Sequence, residues 1–149
     1  MSVYHKDSPQ HFIDAVDSIV NQVCKPAQIV IAVDGPVGMA LESSINEVSR
    51  LPIIDVIRMK KNMGSGAIKR IAIEKVLHPI IAIMDSDDIS VPTRFETQLL
   101  SLSDNYTEVV GGWISEFRVS PGDTRKIRKV PTCINQIKRF AKWRNPINH

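Results

Sequence analysis

The chain has 149 residues, enough for a substantial core, and its 43% hydrophobic and 23% charged content is ordinary for a soluble globular protein. No apolar segment is long enough to span a bilayer, Met1 is not followed by a basic then apolar leader, and Cys24 and Cys133 stand far apart without a paired motif. This argues against a membrane span, a disulfide framework or a zinc site, and for a cytoplasmic chain with free thiols. The net charge of +3 is unevenly divided: from Arg125 onward there are eight Lys or Arg and no acid, whereas 11 basic and 16 acidic residues precede it. The tail suits an anionic lipid surface, a ligand phosphate or a solvated helix face. With two Trp and no nucleic-acid motif, nucleic acid is not an expected partner.

Ser2, Val3 and Tyr4 are too short for an independent strand and read as the end of a first one. Ser8 and Pro9 form a helix start, and Phe12, Ile13, Val16, Ile19, Val20 and Val23 follow at helical spacing, which predicts a helix over residues 9 to 23. Gln28 to Val33 is a buried strand that stops at Asp34, Gly35 and Pro36. A weaker helix runs from Ala40 toward Arg50, a third strand spans Ile53 to Ile57, and a loop carrying Lys60, Lys61, Asn62 and Gly64 leads to a helix over Ala67 to Leu77. Ile80 to Met84 is the fourth strand, Pro92 to Leu102 the fourth helix, and Val109 to Ile114 the fifth strand. Residues 118 to 131 read as a loop or hairpin and Thr132 to Trp143 as a short amphipathic helix. The alternation predicts an α/β fold, a mainly parallel central sheet with helices on both faces.

The stretch that organises this plan is Ile80 to Asp88, five apolar residues that run straight into Asp85, Ser86, Asp87 and Asp88. The apolar run predicts a strand buried on both faces, with three carboxylates at its carboxyl end. If the backbone stays extended, Asp85 and Asp87 project to the same side, a geometry for a divalent cation such as Mn²⁺ or Mg²⁺. Helix capping by the same aspartates is the alternative. Ligands of open α/β sheets bind beyond the carboxyl ends of the strands, and here those ends carry Tyr4, then Asp34 and Gly35, then Lys60 to Gly64, then the aspartates. An aromatic ring can stack on a base, an aspartate can accept from a base or ribose, and a cation can bridge carboxylate to phosphate. Together these parts suggest a nucleoside diphosphate, although Asp34-Gly35-Pro36 also suits a plain turn and Tyr4 a core aromatic.

These residues resemble the inverting glycosyltransferases of family 2, which have the GT-A fold, in the branch that assembles bacterial surface polysaccharides. The resemblance is carried in order by SVY and its proline-started helix, IVIAVDG, KNMGSGAIKRIA, IAIMDSDDISVPTRFETQ, and VVGGWISEF with the ending RFAKWRNPINH. It implies a Rossmann-like nucleotide-binding half over residues 1–117 and the start of an acceptor-side region over 118–149. Carried over by position, Val3, Tyr4, Asp34, Asn62, Lys69 and Asp85 are implied to contact the nucleotide, and Asp87, with Asp85 and Asp88, the metal. Where relatives often have Arg or Leu, Asn, any residue and Gly, this chain has Lys69, Arg70, Ile71 and Ala72.

The implied activity is metal-dependent, inverting transfer from a nucleotide sugar, a UDP-sugar above all, to a saccharide or lipid-linked acceptor. The implied place is the cytoplasm, with peripheral association at the inner membrane face compatible with the basic tail. An inverting transferase needs a carboxylate base for the acceptor hydroxyl. Glu116 and Asp123, the acids after Glu108, match no family motif, so the base is expected beyond His149 and these residues are expected to bind donor only. Two other readings stand beside this one: a sugar-phosphate nucleotidyltransferase, whose glycine-rich basic loop SVYHKDSP lacks, and a non-catalytic module that binds through the basic tail.

Overall fold

The computed structural model describes residues 1–103 and 106–148, which divide into two compact units, Met1–Glu96 and a second that begins at Thr97. In the first unit β1 (Ser2–Val3), β2 (Ile29–Val33) and β3 (Ile54–Arg58) form a parallel sheet in the order β1-β2-β3, with Ser2 opposite Ala32 and Val30 opposite Asp55.

All five residues of β2 are buried because both faces are covered. Ile29, Ile31 and Val33 pack with Phe12, Ala15, Val16 and Ile19 of α1 (Pro9–Val20) and with Leu41, Ile45 and Val48 of α2 (Met39–Val48). Val30 and Ala32 pack with Ile68 and Ala72 of α3 (Ser65–Ile73). The period-two alternation of a strand thus divides one apolar run between two layers of helices. The α/β architecture expected from the sequence is present.

Local chemistry sets the helix ends. Ser8 Oγ accepts from His11 N–H at 3.5 Å with Pro9 in the first turn, so α1 starts as predicted. It stops at Val20 rather than residue 23, and Val23 is exposed. The reason is Gln22, only 2% exposed, whose Nε2 donates to the carbonyls of Ser18 and Val91 at 2.9 and 2.8 Å and whose Oε1 accepts from Phe95 N–H at 3.0 Å. One amide thereby ties the end of α1 to the segment that opens α4 (Arg94–Ser101). Gln22→Ala is expected to lower the unfolding free energy by about 1–3 kcal/mol, since a partly buried N–H and two carbonyls lose their partner. Urea unfolding followed by circular dichroism measures this.

The largest departure concerns Ile80–Met84. Among the described residues this run forms no strand; Asp85 makes one parallel bridge to Ser2, and Ile80 and Ile81 are 54% and 42% exposed while Met84 is buried. Among the described residues the link of this run to the sheet is that bridge, at its carboxyl end. The Ile83 carbonyl accepts instead from Arg94 Nη2 at 2.8 Å. Asp85 nevertheless lies at the edge of β1, next in line after β3, β2 and β1.

Val109 to Ile114 likewise adds no strand to the parallel sheet among the described residues. In the second unit β4 (Ile114–Ser115) pairs antiparallel with β5 (Ile127–Arg128), so the predicted loop or hairpin over 118 to 131 is a hairpin. Glu116 pairs with Arg128 at 2.8 Å, and Lys129 lies over the Trp113 ring. α5 (Ile134–Phe140) occupies the middle of the predicted final helix.

Candidate functional site

The carboxyl ends of β1, β2 and β3 and the Asp85 turn lie along one edge of the first unit, as parallel pairing requires. Asp34 follows β2 directly and is 4% exposed. Its Oδ1 accepts from Met63 N–H at 2.7 Å and its Oδ2 from Gly64 N–H at 2.9 Å, while Asn62 Nδ2 donates to the Asp34 carbonyl at 3.3 Å. This carboxylate therefore anchors the loop that leads into α3. Gly35 has φ +86°, and the Asn62 backbone passes so close that a Cβ there would lie 2.7 Å from Asn62 N. The carbonyl of Val3, a residue implied by the resemblance to contact the nucleotide, accepts from Asp34 N–H at 2.7 Å.

A second group forms where β1 meets the aspartates. Tyr4 is 41% exposed, with its ring edge-on to His5. Its exposure answers the core-aromatic alternative. Lys69 Nζ of α3 pairs with Asp85 Oδ1 at 2.8 Å, both partly buried. The Met1 ammonium donates to the Val30 carbonyl; burial, aided by the Lys69 charge and opposed by Asp85, pushes it down to about 6. Ser86, buried, donates from Oγ to Asp7 Oδ2 at 2.7 Å.

Ser86 and Asp87 form a turn, so the extended backbone on which the same-side projection of Asp85 and Asp87 depended does not continue. Asp87 is exposed and Asp88 partly buried, close enough to oppose the burial that pulls the Arg94 guanidinium below its usual value. Among the described residues no group of three or more His, Cys, Asp or Glu is placed to hold a metal ion. The three-carboxylate cradle is thus not formed by side chains alone, because Asp85 is turned to Lys69 and the turn separates Asp87 from it.

Asp7, Gln22 and Arg94 were not singled out from the sequence. Asp7 precedes the Ser8-Pro9 helix start, a place where aspartate usually makes a local turn, which conceals its partner 79 residues away. Arg94 donates to Ser90 Oγ at 3.0 Å and to the Ile83 carbonyl, bracing the segment before the turn.

The family model "Glycosyl transferase family 2" matches residues 1–148. The chain is 35% identical over 150 residues to a UDP-Gal:alpha-D-GlcNAc-diphosphoundecaprenol beta-1,3-galactosyltransferase of Escherichia coli, covering all of this chain and 54% of that protein. It is 30% identical over 149 residues to the amylovoran biosynthesis glycosyltransferase AmsE of Erwinia amylovora, covering 100% and 56%, and 28% identical over 151 residues to the O-antigen biosynthesis glycosyltransferase WbnJ of Escherichia coli, covering 100% and 57%. The chain spans about half the length of these curated relatives. No solved structure matches. A match over nearly every residue, on an α/β sheet with its polar residues gathered at the strand ends, leads to one conclusion: the chain belongs to glycosyl transferase family 2.

Proposed function

We propose that the first unit binds a nucleoside-diphosphate sugar, a UDP-sugar above all, as the donor-binding part of an inverting glycosyltransferase of bacterial surface polysaccharide assembly. The observation that carries this reading is the meeting, at one sheet edge, of the Asp34-anchored loop with the exposed Tyr4 ring and the Asp85–Asp88 turn. The names of the relatives, one of which acts on UDP-Gal, support the donor class.

Tyr4 offers a ring face for the base. Each Asp34 oxygen spends one lone-pair site on a loop N–H, which leaves acceptor capacity for a base or ribose donor. Asp85, held by Lys69, faces the ribose, and the Lys69 ammonium, with three donors, can exchange part of that contact for a phosphate oxygen. A Mg²⁺ or Mn²⁺ ion would be held by exposed Asp87 together with the substrate's phosphate oxygens, as ions bound by one or two carboxylates plus substrate are. When bound, such an ion offsets the charge that develops on the departing diphosphate. Asp88, next to Asp87 in the chain, would support it at the ion.

The base for the acceptor hydroxyl is assigned to no residue of this chain. Glu116 is paired with Arg128, and Asp123 accepts from the Arg118, Val119 and Ser120 N–H groups, so both serve the hairpin. The Val119 bond leads in holding the Asp123 carboxyl below its usual value, with burial opposing it and the Arg118 and Ser120 bonds adding to it. The chain alone is therefore proposed to bind donor without transferring sugar. The acceptor is proposed to be a saccharide or lipid-linked, met at the inner membrane face. No helix among the described residues is long and apolar enough to cross a membrane.

The test is thermal unfolding with UDP and Mn²⁺. At about 100 times its Kd the ligand stabilises the fold by about 2.7 kcal/mol, and Asp87→Asn is expected to remove most of that gain while leaving the unliganded melting temperature within about 1–2 °C. If no nucleoside diphosphate raises the melting temperature of the wild-type chain, the donor reading fails.

A further inference from the structure

The corner after β1 and the aspartate turn are joined through one oxygen atom. Asp7 Oδ2 accepts the Ser86 hydroxyl at 2.7 Å and the Tyr4 backbone N–H at 3.1 Å, and the Asp7 N–H returns to the Tyr4 carbonyl at 3.1 Å. Ser86 stands between Asp85 and Asp87 and is 6% exposed, so its hydroxyl depends on this partner. A short hydroxyl-to-carboxylate bond is of the stronger, charge-assisted kind. The Ser2 bridge holds Asp85 against β1, and the Asp7 bond holds the next residue, so the direction in which Asp87 leaves the sheet is set by two adjacent restraints.

We propose that Asp7 is a positioning residue: it sets the aspartate turn relative to Tyr4, so that the base end and the diphosphate end of one ligand are met together. This rests on the donor reading above. Asp7 itself touches neither end. It acts through Ser86, and the cost of losing it falls on ligand affinity beyond any cost to the fold.

The experiment is calorimetric titration of the chain with UDP in Mn²⁺, below the unfolding transition, for wild type, Asp7→Ala, Asp7→Asn, Ser86→Ala and the double Asp7→Ala/Ser86→Ala. Asp7→Ala is expected to weaken UDP binding about tenfold, the lower end of what loss of an outer-shell partner costs. Asp7→Asn can set its Oδ1 where Oδ2 now lies and keep both bonds, so it stays within about threefold of wild type. Ser86→Ala, which removes one oxygen and is the variant least able to disturb folding, loses about three- to tenfold, and the double variant binds no more weakly than Asp7→Ala because both changes break the same bond.

Unchanged affinity in Asp7→Ala or in Ser86→Ala, or losses that add in the double variant, would overturn the proposal while the donor reading stands. Failure of the wild type to bind UDP would overturn both.

Discussion

Asp34→Ala is expected to lower the unfolding free energy by about 2–5 kcal/mol, because two hydrogen bonds to a charged group are lost and the Met63 and Gly64 N–H groups are left without their acceptor. The side chain is 4% exposed, so water enters poorly in its place. Asp34→Asn discriminates between lost charge and lost geometry. An amide has one acceptor oxygen, and its NH₂ must face whichever loop N–H the oxygen does not serve. About half of the alanine loss is therefore expected from asparagine. Urea unfolding with a shared m-value measures both, and a loss under about 1 kcal/mol for alanine means that the loop is held by something other than this carboxylate. UDP affinity is expected to fall at least about tenfold in the alanine variant, since one truncation removes the proposed acceptor for the nucleotide and frees the loop beside it.

Asp34 also marks how far the sequence could be read. Its place after an apolar strand and before Gly35 and Pro36 made it legible as either a turn residue or a ligand. Its bonds to residues 29 and 30 positions later were hidden, because backbone N–H groups carry no sequence signature. β2 was legible since its unbroken apolar run needs cover on both faces, and α1 and α3 provide it. The same logic misled at Ile80–Met84. An apolar run reports what a strand would tolerate on its faces, whereas a strand also needs hydrogen-bonded pairing along its edge, and among the described residues that pairing is the single Ser2–Asp85 bridge. α3 began two residues before its predicted start because Gly64, read as loop punctuation, serves as its N-cap. Leu77, predicted within that helix, is exposed beyond its end, where its N–H donates to Gln28 Oε1. At the site, the gathering of strand ends at one edge followed from topology, while Asp7–Ser86 and Lys69–Asp85 followed from packing.

Gly35→Ala carries the other large effect, and the geometry divides it into two parts. At φ +86° an L-residue pays about 1–2 kcal/mol for the left-handed backbone. The new Cβ would also lie 2.7 Å from Asn62 N, 3.0 Å from Lys61 C and 3.2 Å from Asn62 Cα. All three are backbone atoms, so no side-chain rotation relieves the overlap and the loop itself must move, at about 1–3 kcal/mol. The sum is a loss of about 2–5 kcal/mol. Gly122→Ala isolates the first part, since Gly122 has φ +91° and open space around its Cβ position; about 1–2 kcal/mol is expected there. Displacing residues 61–62 also draws Met63 and Gly64 away from Asp34, so Asp34→Ala and Gly35→Ala share part of their cost, and the double variant should lose less than the sum of the singles. Strict additivity would mean that the two changes act independently, and equal losses at Gly35 and Gly122 would mean that the close approach of the two loops contributes nothing to the fold.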